Sequence, residues 1–117
     1  MKYISTRNKE FYVTSSQAII QGISGDGGLF VPEEIPSISL DKLKELNYKE
    51  LAYEIMSLFL DDFTKSQLKS CIDKAYDNKF DTDAIAPLVE VGDDYFLELY
   101  HGPTLAFKDM ALSILPH

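Results

Sequence analysis

Tryptophan is absent from this chain of 117 residues, cysteine occurs once, histidine twice, and 11 basic side chains face 19 acidic ones. Each scarcity removes a class of function. A single cysteine, Cys71, forbids an internal disulfide and suits a reducing compartment. The histidines, His101 and His117, pair with neither that cysteine nor a carboxylate at metal-ligand spacing, so no metal site is expected. A formal net charge of −8 offers nothing to a phosphate backbone. No apolar run reaches membrane-spanning length, and Met1-Lys2-Tyr3-Ile4-Ser5-Thr6-Arg7 lacks the apolar core of an export signal. Neither nucleic acid nor membrane is an expected partner, and a cytoplasmic location is expected. What remains is a chain 45% hydrophobic, the length of one compact domain.

Local signals divide the chain into a helical middle between two regions of short strands. Tyr3 to Thr6 suits a short strand. Thr14 and Gln17 form a capping box, Val13 and Ala18 a hydrophobic staple, and Gly22 a C-terminal stop, which predicts a helix between them. The glycine cluster Gly22–Gly28 leads into the extended Leu29-Phe30-Val31, ended by Pro32. That cluster is no P-loop, because it lacks a Gly-Lys-Ser/Thr ending and enters a strand instead of a helix. Leu40 to Leu46 is a short charged helix candidate. Asn47 with Glu50 caps a stronger helix bearing Tyr48, Leu51, Ala52, Ile55, Met56 and Phe59 at helical spacing. Thr64 with Gln67 caps another, which places Leu68, Cys71, Ile72, Ala75 and Tyr76 on one core-facing side. An antiparallel pairing of these two helices across Asp61-Asp62-Phe63 is expected. Asp61-Asp62 and Asp93-Asp94 read as solvated turn residues, and Ser5, Ser15 and Ser16 have no base partner to make a nucleophile.

Chemistry concentrates near the C-terminus. Pro87–Val91 and Tyr95–Tyr100 flank Gly92-Asp93-Asp94 as a hairpin whose second strand reads as buried. Gly102-Pro103 breaks that strand. Thr104 or Gly102 then caps a helix running from about Leu105 until Pro116 stops it, with Pro103 at its first position. Lys108 falls in the first turns of this helix beside Phe107. Desolvation among apolar neighbours and the positive helix end would both disfavour its ammonium form. A neutral amine is what a Schiff-base lysine needs, and the same helix end suits a cofactor phosphate.

The stretch His101-Gly102-Pro103-Thr104-Leu105-Ala106-Phe107-Lys108-Asp109 resembles the cofactor-lysine motif of threonine synthases, which depend on pyridoxal phosphate (PLP). Tyr3-Ile4-Ser5-Thr6-Arg7 and Gly22-Ile23-Ser24-Gly25-Asp26-Gly27-Gly28-Leu29-Phe30-Val31-Pro32 resemble the opening signatures of the same family. The resemblance implies conversion of O-phospho-L-homoserine and water to L-threonine and phosphate. Lys108 then matches the lysine that holds PLP as an imine and shuttles protons at the substrate carbons. Phe107, Asp109, Thr104 and His101 are further candidates for cofactor contacts, Phe107 against the ring and Asp109 at the helix start. The implied fold class is α+β or α/β. Residues 1–117 would form the N-terminal portion of a two-domain PLP-dependent lyase of the tryptophan-synthase-β-like fold, with the downstream catalytic lobes absent.

In that family the cofactor phosphate is bound by a Gly-rich loop downstream of the lysine, and the ring nitrogen by a downstream polar side chain. The chain contains neither, so by itself it is expected to be inactive. Two other readings stay open: a threonine-synthase-like phospho-lyase acting on another phosphorylated amino compound, and a non-catalytic interaction module derived from such an enzyme. The partner expected in the first two readings is a small phosphorylated amino acid. In the third, the apolar hairpin and terminal helix would drive self-association.

Overall fold

The computed structural model describes residues 1–117. Its elements run β1 (Tyr3–Ser5), β2 (Tyr12–Val13), α1 (Ser15–Gln21), β3 (Phe30–Pro32), a 3₁₀ turn (Leu40–Lys42), α2 (Tyr48–Phe59), α3 (Lys65–Ala75), β4 (Leu88–Val91), β5 (Asp94–Leu97) and α4 (Asp109–Leu112). Strands flank a helical middle, as the sequence predicts. Met1–Lys44 with Glu54–Leu68 make one compact unit, and Glu45–Tyr53 with Lys69–His117 make a second.

In the first unit β1 is the centre of a three-stranded antiparallel sheet ordered β2-β1-β3. Pro32 ends β3 on an edge strand, where its missing N–H breaks no ladder bond. The glycine cluster is a structural turn. An Ile23–Leu29 bridge and a Ser24 N–H to Gly28 carbonyl bond of 2.9 Å close it. Inside it the Asp26 carboxylate accepts from the Ser5 hydroxyl at 2.8 Å and the Gly28 N–H at 2.8 Å. Gly27 adopts φ 77°, and Gly28 lies so close to Ser5 Oγ that a side chain would not fit. Ser5 is fully buried, and its Asp26 bond accounts for its polar atom.

Helix α1 carries the predicted capping box, with the Gln17 side chain accepting from the Thr14 N–H at 3.0 Å, and ends on Gly22 at φ 73°. A second acceptor reaches its N-terminus. Asp62 accepts from the Ser15 and Ser16 hydroxyls and from the Ser16 N–H at 3.0 Å. Desolvation pushes the Asp62 carboxyl up, but these hydrogen bonds outweigh it and hold the group well below the usual carboxylate range. Asp62 is therefore more than the solvated turn residue expected. Its neighbour Asp61 pairs with the N-terminal amine and is 52% exposed.

The caps of α2 and α3 form as expected, through Asn47 with Glu50 and Thr64 with Gln67. Within the second unit the two helices run antiparallel. Tyr48 meets Tyr76 edge-on at 4.9 Å, Lys49 pairs with Asp73 at 3.3 Å, and the Lys69 ammonium sits over the Tyr53 ring at 5.3 Å. The core-facing side of α3 is as predicted for Leu68, Ile72, Ala75 and Tyr76, while Cys71 is only half-buried. Helix α2 buries no residue completely, and only three residues of the Leu40–Leu46 candidate form a 3₁₀ turn. The hairpin β4–β5 turns at Gly92, φ 65°, in the register Val91 opposite Asp94. Its second strand departs from expectation: it stops at Leu97 and is exposed along its length, with Tyr95 at 65%. A two-stranded ribbon has two faces, and the side chains on them are largely exposed here.

Asp62 sets a pH-dependent test. Its folded value is depressed below 3.8, so its stabilisation is present above that value and lost as pH falls through the depressed one. Asp62→Asn is expected to lower the urea midpoint at neutral pH, with the deficit vanishing in strong acid; a pH-independent deficit would show that the charge is immaterial. Thr14→Ala should cost about 1 kcal/mol in the same titration.

Candidate active site around Lys108

Beyond β5 the chain has no regular structure until α4, and its course is set by a few side-chain bonds. His101 is anchored first: its Nδ1 lies 2.5 Å from Asp81 Oδ1 and its Nε2 lies 2.8 Å from Glu98 Oε2. The Asp81 N–H also donates to the His101 carbonyl at 3.1 Å. Gly102 follows, buried against Asp109, where an added Cβ would come within 2.5 Å of the Asp109 carboxylate.

Asp109 closes the turn. Its carboxylate, 4% exposed, accepts from the Thr104 N–H at 2.8 Å and from the Thr104 hydroxyl at 2.7 Å. Leu105 donates back to the Gly102 carbonyl at 3.0 Å and sits at φ 57°, a conformation that bulky side chains rarely adopt. These bonds correct the expected helix start. A left-handed Leu105 cannot be a helical residue, so α4 begins at Asp109 instead of near Leu105. Thr104 donates to Asp109 and caps no helix, and Lys108 occupies the N-cap position. Strained backbone of this kind persists only where surrounding contacts over-determine it, and it concentrates at working sites.

The Lys108 side chain emerges from this turn at an open apolar pocket of about 590 Å³. Phe107, Leu97, Leu99, Tyr48 and Leu112 are among the other lining residues, and Lys108 is the only charged one. None of the ion pairs of the chain involves Lys108, and its side chain is exposed. The desolvation expected of it is therefore not supplied by these residues, because one wall of the pocket is open. Behind the pocket the Tyr76 hydroxyl donates to the Met110 carbonyl at 2.7 Å and ties the α4 segment to the end of α3. Burial, and then the neighbouring Tyr76, hold the Tyr48 phenol well above its ordinary range, so it stays neutral.

Of the residues singled out in the sequence, Phe107 and Lys108 share the pocket and Thr104 is bonded to Asp109. His101 is turned instead toward Asp81 and Glu98. Sequence reasoning missed both of those carboxylates. Glu98 could have been suspected from its spacing of three residues from His101, whereas Asp81, twenty residues upstream, gives no local signal.

Residues 2–76 match a family model described as the threonine synthase N terminus. The chain belongs to the threonine synthase family. Threonine synthases of Methylobacillus glycogenes and Pseudomonas aeruginosa are each 39% identical to it across 98% of its length. The threonine synthase-like 1 protein of Homo sapiens is 38% identical over 87%. The crystal structure of a PLP-bound threonine synthase from Brucella melitensis matches 98% of the chain with a TM-score of 0.90 at 36% identity. Threonine synthase from Escherichia coli matches 93% with a TM-score of 0.76 at 33% identity. The α+β arrangement is thus that of the N-terminal part of threonine synthase structures. The chain spans 27% and 25% of the two bacterial relatives and 26% of the Brucella chain, about a quarter of the length of these family members.

The crowding at Gly102 makes a direct test of the turn. Gly102→Ala should push the Asp109 carboxylate off Thr104 and destabilise the chain by roughly 1–3 kcal/mol, as overpacking does. Chemical denaturation measures the loss, and an unchanged midpoint would show that the turn has slack.

Proposed function

We propose that this chain is the N-terminal part of a threonine synthase that converts O-phospho-L-homoserine and water to L-threonine and phosphate, with Lys108 as its PLP-binding lysine. The observation that carries the reading is the placement of Lys108: an exposed primary amine at the rim of an apolar pocket, on a turn locked by the buried Asp109. The residues present fit one end of the cofactor. An amine suits its aldehyde, and Phe107 and the aliphatic lining suit the face of a ring. They do not fit the other end, since no lining residue apart from Lys108 carries a charge to meet a phosphate. A phosphate would have to be met by groups outside this lining. When bound, the cofactor supplies the electron sink that makes substrate carbanions accessible.

On this reading each residue of the site has a part. Lys108 Nζ holds the cofactor and carries protons at the substrate carbons. Phe107 offers an aromatic face to the cofactor ring. Thr104 and Asp109 hold the turn on which Lys108 stands, and contribute to cofactor binding through it. The site is of the carbon–oxygen lyase type, in a protein working in the cytoplasm.

A second reading is a threonine-synthase-like phospho-lyase acting on another phosphorylated amino compound; the likeness to a protein named threonine synthase-like 1 is the observation on its side. Product analysis with several such substrates separates the two.

Three outcomes are expected. The 117-residue chain alone forms no threonine, whereas a polypeptide that continues it through the rest of the family's length does. In that longer protein Lys108→Ala lowers turnover by at least about a hundredfold, the share of a proton-transfer group; activity close to the parent's would remove Lys108 from the chemistry. The exposed apolar side chains of the second unit, among them Leu88, Phe96, Phe107 and Leu115 at 54–64%, support self-association of the isolated chain. Sedimentation velocity should show the average mass rising with concentration; a monomer at every concentration contradicts this.

A further inference from the structure

We propose that His101 is a positioning residue for Lys108 and that it works as a cation clamped between Asp81 and Glu98. The geometry requires two donors on one ring. Nδ1 lies 2.5 Å from Asp81 Oδ1 and Nε2 lies 2.8 Å from Glu98 Oε2. An ionised carboxylate only accepts, and a neutral imidazole has only one N–H, so both contacts are satisfied together only by imidazolium. The Tyr100 ring stacks on the imidazole at 4.7 Å. Asp81, Glu98 and Tyr100 are the titratable groups that face His101.

The clamp is connected to Lys108 by a short run of fixed contacts. The His101 carbonyl is held by the Asp81 N–H, and the next residue, Gly102, is packed against Asp109. Asp109 in turn holds Thr104 and adjoins Lys108. The turn is thus fixed at its exit by Asp109 and at its entry by His101. Loss of one imidazole proton would set a nitrogen lone pair against a carboxylate, so a charge-assisted bond becomes a repulsion and the entry loosens.

The pH window follows from both partners. The hydrogen bonds to Glu98 and then Asp81 hold the His101 ring above its ordinary 6.5, against a smaller opposing effect of burial. The clamp is therefore complete below 6.5 and is lost as pH rises through the raised folded value. The bonds from His101 and then Tyr100 hold the Glu98 carboxyl below 4.5. On the acid side the clamp is present above 4.5 and lost as pH falls through that depressed value.

The test is an NMR pH titration of the 117-residue chain, following the His101 ring and the backbone amides of Thr104, Lys108 and Asp109. The same ring in the urea-unfolded chain serves as reference. The expected result is a His101 midpoint above the unfolded one, both ring nitrogens protonated below it, and Lys108-turn amides that move with that same midpoint. Asp81→Asn should lower the midpoint and, at neutral pH, reproduce the amide shifts of the deprotonated parent; Glu98→Gln gives the same comparison from the other side of the ring. A His101 midpoint at or below the unfolded value overturns the proposal. So do Lys108-turn amides that stay still while His101 titrates, which is the behaviour of a histidine that merely fills space.

Discussion

The buried carboxylate of Asp109 is the constraint on which the Lys108 region depends. A carboxylate at 4% exposure must be given donors, and Thr104 supplies two, its N–H at 2.8 Å and its hydroxyl at 2.7 Å. Meeting that demand bends residues 104–108 into a turn, forces Leu105 to φ 57°, and delays α4 until Asp109 itself. Lys108 is thereby set at the head of a short helix with its side chain at the rim of the apolar pocket. A lysine in the middle of a regular helix would instead share the helix's surface with its neighbours, with no turn to direct it.

The first unit solves a related problem in the same way. Ser5 is fully buried in the central strand, and Asp26 reaches from the glycine turn to satisfy it while also taking the Gly28 N–H. The two opening signatures of the family are thus brought together by one carboxylate that braces strand to turn. Asp62 does comparable work at α1, where it accepts from two serines. In each case an acidic side chain organises local donors, which gives the acidic surplus of the chain a structural use.

What could be read from the sequence was local, and what could not was non-local. The capping boxes at Thr14 and Thr64, the Gly22 stop and the Gly92 turn depend on residues within a few positions of one another, and all formed as their side-chain chemistry dictates. The start of α4 was misread because Pro103 and Thr104 carry ordinary helix-start signals, while the competing demand of buried Asp109 depends on packing. The burial of Tyr95–Leu97 was misread because aromatic strands signal a covered sheet, and the cover is not among these residues. The motif lysine stands out by its chemistry alone; its turn and the partners of His101 do not, since buried Asp109 and distant Asp81 act only through the fold.

The central claim is that Lys108 is the cofactor lysine of a threonine synthase, and site mapping tests it most directly. The longer polypeptide that continues this chain would be loaded with PLP, reduced with borohydride and digested with trypsin. The account predicts one pyridoxyl group on Lys108, which blocks cleavage there and leaves Phe80 joined through Asp109 in a single peptide. A pyridoxyl group on another lysine, with the bond after Lys108 cut normally, would contradict it.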